Sequence, residues 1–98
     1  MSVTSTSTLD ELRRVLLPSS LIQQMKWTVR TRLTALLVEK KQGILLMEQE
    51  GGEIPIDDLN RVGLSSEYCD ALGWREKDVI NVITSDSNTS SLLLTRLA

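Results

Sequence analysis

Two aspartates in this chain each stand four residues ahead of an arginine: Asp10 before Arg14, and Asp57 before Arg61. A carboxylate heading a short turn can accept backbone N–H groups two residues on. An arginine four positions later is near enough to pair with it, or can offer its planar fork of donors to a phosphate. This is the chemistry of recognition, and the groups that would support turnover are missing or isolated. The chain holds no His, which removes the commonest general base and metal ligand. Its single cysteine, Cys69, cannot complete a zinc site or form an internal disulfide. A lone Cys69 reads as a small apolar residue of a protein kept in a reducing cytoplasm. No glycine-rich phosphate loop or nucleophile motif is present, and the carboxylates of Asp57, Asp58, Glu76 and Asp78 read as turn and surface groups. The expectation is a protein that is not an enzyme, with no cofactor, no metal and no small-molecule substrate.

The Asp…Arg pairs belong to a longer pattern. Asp10-Glu11-Leu12-Arg13-Arg14-Val15-Leu16-Leu17-Pro18-Ser19-Ser20 is matched 47 positions on by Asp57-Asp58-Leu59-Asn60-Arg61-Val62-Gly63-Leu64-Ser65-Ser66-Glu67. The same step lays Trp27 on Trp74, Leu33 on Ile80, Ala35 on Val82, and Leu45-Leu46-Met47 on Leu92-Leu93-Leu94. Trp27 and Trp74 are the only tryptophans, so their coincidence carries weight. A step of about half the chain length means two copies of one supersecondary unit. The copies span about 3–49 and 50–98. Units this short are marginal alone, so residues 1–98 read as one domain around a shared core.

Each copy reads as strand, strand, short helix and hairpin. Residues 3–8 fit a strand or a frayed tail equally. Their counterparts, 50–55, hold the inter-repeat turn and the start of a strand that Pro55 confines to an edge or a strand start. Residues 14–17 and 61–64 are predicted strands, with Val15, Leu17, Val62 and Leu64 pointing inward. Pro18, followed by Ser19 or Ser20, starts a helix over 20–26. Ser65 or Ser66 caps the second helix, which buries Tyr68, Cys69 and Leu72 and ends at a left-handed Gly73. Residues 32–39 and 44–47 form a hairpin through 40–43. Residues 79–84 and 91–96 form its partner through a turn cluster at 85–90. Trp27 and Trp74 read as core residues, with ligand or base stacking as the alternative.

These residues resemble a known family. The first motif is similar to the Asp-Glu-Leu-Gly-Arg-Val-x-Ile-Pro opening of the AbrB/SpoVT transition-state regulators, the swapped-hairpin group related to MazE and MraZ. Ala71-Leu72-Gly73-Trp74-Arg75-Glu76-Lys77-Asp78-Val79 is similar to the Leu-Gly-(apolar)-x-x-x-Asp segment that follows. The likeness covers about residues 9–48 and 56–97. It implies a mainly β fold: a swapped-hairpin, AbrB-like β-barrel built from two tandem β-β-α-β-β repeats with two short helices. It closes within one chain or by exchange between two. It also implies a DNA-binding transcriptional regulator, or the antitoxin half of a toxin–antitoxin pair.

On that resemblance the DNA-contacting candidates are Arg13, Arg14, Lys26, Arg30 and Arg32 in the first copy and Arg61, Arg75 and Lys77 in the second. Lys26, Arg75 and Lys77 read first as solvated surface charges, and Arg14 and Arg61 first as fold-stabilising partners of Asp10 and Asp57, with DNA contact as the second reading. Several positions depart from the family. Arg13 and Asn60 replace its Gly, and Arg13 predicts a different turn in copy one. Met25-Lys26 replaces Leu-Gly, Thr31 the Asp, and Ser65 the Pro. Gln23 and Asp70 stand where the family's DNA-facing helix often ends in Arg, and Asp70 would repel phosphate.

Charge is unevenly divided. Residues 1–49 carry +3 and residues 50–98 carry −5. Either the first half alone presents a basic face to DNA, or the halves attract each other or a second chain. The second possibility supports an alternative function, a barrel retained as a protein-interaction or assembly module that does not bind DNA. Self-association as a homodimer or higher oligomer is expected either way. No apolar run reaches the length of a membrane span, and residues 1–8 lack the features of a signal peptide. The expected setting is the cytoplasm, without a membrane partner.

Overall fold

The computed structural model describes residues 2–85 and 88–97. The chain runs β1 (Ser2–Thr8), β2 (Arg14–Leu16), α1 (Ser19–Met25), β3 (Arg32–Val38), β4 (Gly43–Glu48), β5 (Ile54–Pro55), β6 (Arg61–Gly63), α2 (Ser66–Leu72), β7 (Val79–Ser85) and β8 (Asn88–Arg96). It is mainly β, with two helices and a curled half-barrel sheet. The large sheet has the order β1-β7-β8-β4-β3-β5, and β2 pairs with β6 in a separate ribbon.

The pairing interleaves the two halves of the chain. β1 pairs with β7, β5 with β3, and β4 with β8, all antiparallel. The ribbon is centred on Val15 opposite Val62, with Arg14 opposite Gly63 and Leu16 opposite Arg61. Neither half can bury its apolar face without the other. Leu9, Val15, Leu17, Leu21, Leu33 and Ile44 from the first half join Val62, Ile80, Val82, Leu92 and Leu94 from the second in one core. Trp27 and Trp74 are buried in the same cluster, at 3% and 5% exposure, as packing residues.

Local sequence accounts for the elements. Pro18 and Ser65 are the residues just outside the two helices, both extended, with φ near −60°. Proline has that φ built in, and Ser65 reaches it without a side-chain capping bond. Ser65 thus holds the N-cap position of α2, as expected, and Pro18 holds that of α1, neither with a side-chain capping bond. Both helices end on a left-handed residue, Lys26 at φ 59° and Gly73 at φ 71°. The turn before each long hairpin is also conserved in form. Thr31 Oγ1 accepts the Thr28 N–H at 2.9 Å, as Asp78 Oδ2 accepts the Arg75 N–H at 2.8 Å. Thr31 therefore takes over the turn-forming bond of an aspartate.

Several boundaries differ from expectation. Residues 2–8 form a full strand, because β7 supplies an edge for them to pair with. Of residues 50–55 only Ile54 and Pro55 pair, at the sheet edge, as Pro55 demands. β8 begins at Asn88; residues 86 and 87 of the expected turn cluster lie outside the described residues. The 47-residue step also fails in the last strand. Gln49 N–H donates to Arg32 C=O and Leu97 N–H donates to Val79 C=O. The acceptors are 47 apart but the donors 48 apart, so the second hairpin holds one more residue. Ile44 and Leu46 are therefore matched by the buried Leu92 and Leu94, and Leu45-Leu46-Met47 falls on Leu93-Leu94-Thr95. Side chains alternate faces in a strand, so this one-residue shift decides which residues of the two copies share a face. No helix among the described residues is long and apolar enough to cross a membrane.

Candidate nucleic-acid interface

The two Asp…Arg turns flank the β2–β6 ribbon, and each is closed the same way. Asp10 Oδ1 accepts the backbone N–H of Leu12 at 2.9 Å and of Arg14 at 2.8 Å, while Oδ2 takes the Arg14 Nε at 2.8 Å. Asp57 makes the identical set to Leu59, Arg61 and the Arg61 Nε, at 2.9, 2.8 and 2.8 Å. Desolvation pushes both carboxyls up. The backbone N–H and guanidinium of the paired arginine, the leucine N–H and the arginine charge outweigh it, and both stay below the ordinary aspartate value. The two turns are also tied together, since Leu64 N–H donates to Arg13 C=O and Leu17 N–H to Asn60 C=O, both at 2.8 Å.

Arg14 and Arg61 are thus positioned by their own turns, half-buried and occupied at Nε. Arg13 does not make its turn differ from its counterpart. It adopts φ 60° where Asn60 adopts 62°. The hydrogen bonds of the Asp10 turn and the tie to Leu64 hold a long side chain in the left-handed region, where it is intrinsically disfavoured.

The other cations do not converge on one face. Arg13 shares a cleft of about 260 Å³ with Arg75, but Asp10, Glu11, Asp70 and Glu76 line it too. Arg30 and Arg32 line a different cleft, of about 330 Å³, opposite Glu48 and Glu50. Lys26 is exposed at the end of α1 and Lys77 is exposed at φ 75°. Arg30 and Lys77 stand 47 apart and so occupy corresponding loops. The charge division between the halves is not a division in space, because interleaving brings first-half arginines against second-half carboxylates. Gln23 and Asp70 are both exposed, on α1 and α2.

Three features escape sequence reasoning. Leu12, Leu16 and Leu59 flank the same ribbon and are 62%, 53% and 58% exposed. Leu12 and Leu59 are in step in the repeated motif, and that was their only signal. Arg96 donates to Gly73 C=O at 3.0 Å and approaches Asp78 at 3.5 Å, fastening β8 to the end of α2. Trp27 Nε1 is buried and has no hydrogen-bond partner among the described residues. Cys69 is fully buried. Burial pushes its thiol up, Arg13 pulls it down and Asp70 raises it, for a net upward shift. That suits a packing residue and not a thiolate nucleophile. Among the described residues no cluster of His, Cys, Asp and Glu is arranged to hold a metal ion.

No family model, curated protein or solved structure matches the chain.

Proposed function

We propose that this chain is a single-chain swapped-hairpin barrel of the AbrB/SpoVT kind, acting in the cytoplasm as a non-catalytic DNA-binding transcriptional regulator. The observation that carries the reading is the pair of identical Asp…Arg turns on the two sides of one ribbon. Each aspartate takes the Nε of its arginine, and the terminal guanidinium nitrogens make no hydrogen bond among the described residues. Two guanidiniums held in fixed orientation, with terminal donors free, suit paired phosphates. Arg30 and Lys77, in corresponding loops, extend the same symmetry. Interleaved pairing of β1 with β7 and β5 with β3 supports the swapped-hairpin reading, with the exchange completed inside one chain.

A second reading, a protein-interaction or assembly module, is favoured by two observations. Carboxylates surround Arg13 and Arg75, and three exposed leucines flank the ribbon.

Fluorescence anisotropy on AT-rich and mixed duplexes, titrated against salt, separates the two. The regulator reading expects micromolar or tighter binding, with log K falling by about 0.9 per phosphate engaged as log[salt] rises. Arg30→Ala and Lys77→Ala should each lower that slope by about 0.9 without disturbing the fold. A folded protein with no binding at about 50 mM salt, where phosphate attraction is strongest, would leave the assembly module.

A further inference from the structure

We propose that the open outer edge of β3 is an interface between two copies of this chain, in which residues 34–38 of one pair antiparallel with residues 34–38 of the other about a two-fold axis at Leu36. The inference rests on the strand ladder and not on DNA binding.

The two long hairpins are treated differently at their outer edges. β7 is covered along its length by β1, through Ser2↔Thr84, Val3↔Ile83, Ser5↔Val82 and Thr6↔Asn81. β3 is covered only at its start, through Arg32↔Pro55 and Leu33↔Ile54. The reason is covalent. β1 spends all seven of its residues along β7. Its counterpart, residues 49–53, must bring the chain back from β4, and is used up in a turn. Gly52 N–H donates to Gln49 C=O at 2.9 Å. Gly52 then lies so close to β3 that a Cβ there would sit 2.5 Å from the Leu33 carbonyl oxygen.

The groups left open can be named. Gln49 N–H bonds the Arg32 carbonyl, so Arg32, Thr34, Leu36 and Val38 direct their backbone groups at β4. By strand alternation Leu33, Ala35 and Leu37 direct theirs outward. Leu33 is taken by β5, which leaves the N–H and C=O of Ala35 and Leu37 unpaired among the described residues. Pairing Ala35 of one copy with Leu37 of the other, twice by symmetry, satisfies all four. Leu36 then faces the second copy's Leu36 as a non-hydrogen-bonded pair, the arrangement that brings side chains closest. Leu36 is 50% exposed in the single chain.

The segment 34–38 has none of the devices that keep an edge strand solitary, since Thr34-Ala35-Leu36-Leu37-Val38 carries no charge and no proline. β3 ends at Val38 in a 3-10 turn, Glu39–Lys41, that leads back to β4. The second copy's strand therefore leaves the interface before it would meet β5. The open segment is centred on Leu36, so its length is self-complementary. The other sheet edge is less suited. β1 is rich in hydroxyls, and Ser7 Oγ already accepts the Leu16 N–H at 3.0 Å.

Sedimentation velocity on the full chain, from about 1 μM to about 1 mM, tests this over the range of weak to moderate self-association. The expected result is a reversible shift from the 11.0 kDa monomer to a dimer. Ala35→Pro removes one outward N–H and no bond to β4, and Leu36→Lys sets two charges against each other. Each should weaken the dimer at least tenfold with unchanged far-ultraviolet circular dichroism. Under mild oxidation Leu36→Cys should form a covalent dimer, because a non-hydrogen-bonded pair about 4.5 Å apart lies within disulfide range. Thr34→Cys, placed opposite Val38, should not, and neither should the wild-type chain with its buried Cys69. If Ala35→Pro misfolds, Leu36→Lys and the cross-link decide. A wild-type monomer at the highest concentration overturns the proposal, as does a dimer indifferent to Leu36→Lys or a cross-link equally strong at position 34. A monomer that instead takes up a Ser-Val-Thr-Ser-Thr-Ser-Thr peptide would assign the edge to a foreign strand and overturn the second-copy reading.

Discussion

Arg13 and Asn60 take the same left-handed backbone conformation, and each gives its carbonyl to the opposite repeat's strand end, Arg13 to Leu64 and Asn60 to Leu17, at 2.8 Å in both cases. The turn is thus set by its hydrogen bonds and by its neighbour across the ribbon. The residue at its left-handed position only has to tolerate the conformation, and asparagine tolerates it better than arginine.

Arg13 and Lys26 therefore store strain that glycine would release. Arg13→Gly and Lys26→Gly should each raise stability by about 0.5–1 kcal/mol in urea denaturation, the left-handed penalty less the entropic cost of glycine. A loss of stability in both would mean that the long side chains contribute packing that outweighs the strain.

Asp10 and Asp57 make stability depend on acid. Their folded pKa values lie below that of an unfolded aspartate, so the unfolded chain takes up protons more readily. Their contribution is complete above about pH 4, the unfolded value, and is lost as pH falls through the folded pKa. The double variant Asp10→Asn/Asp57→Asn should show a flatter stability profile between about pH 5 and pH 2 than wild type. Asp10→Ala, which removes the acceptor altogether, should cost about 1–2 kcal/mol at neutral pH. Parallel acid profiles for wild type and the double variant would remove the aspartates from the account.

Gly43 marks a close approach of β4 to β8. A Cβ there would lie 2.6 Å from the Leu94 carbonyl oxygen, a backbone atom that cannot swing aside. Gly43→Ala should destabilise by about 1–3 kcal/mol, the usual cost of overpacking, and thermal unfolding would register it as a drop in Tm. An unchanged Tm would show that this ladder can spread without loss.

Asp70 bears on the DNA reading, because it lines the cleft that holds Arg13 and Arg75. Asp70→Lys should tighten DNA binding and steepen the salt dependence by up to about 0.9 if the new cation reaches a phosphate. Unaltered affinity would place that cleft away from any DNA face.

Much of the local structure was legible because it depends on residues a few positions apart. The Asp10…Arg14 and Asp57…Arg61 pairs, the left-handed end at Gly73, the β-branched run of β7 and the edge placement of Pro55 each follow from chemistry within one turn or strand. Sequence misjudged the Arg13 turn, because intrinsic preference there yields to hydrogen bonds supplied from elsewhere. It set the last strand one residue out of step with its counterpart, since repeated leucines look alike in either register and only the pairing of Ile44 with Leu94 and Leu46 with Leu92 fixes it.

The sequence by itself determined that one motif recurs 47 positions on, where its turns and helices lie, and that neither copy holds a histidine. Tertiary structure decided how the units interleave and which leucines are buried. It also set Arg13 among acidic side chains, and left the edge of β3 open while that of β7 is covered. Those outcomes depend on pairings between residues as much as 82 positions apart, such as Ser2 with Thr84, and on the short connection from β4 to β5. Both are constraints of chain geometry that no local pattern of side chains encodes.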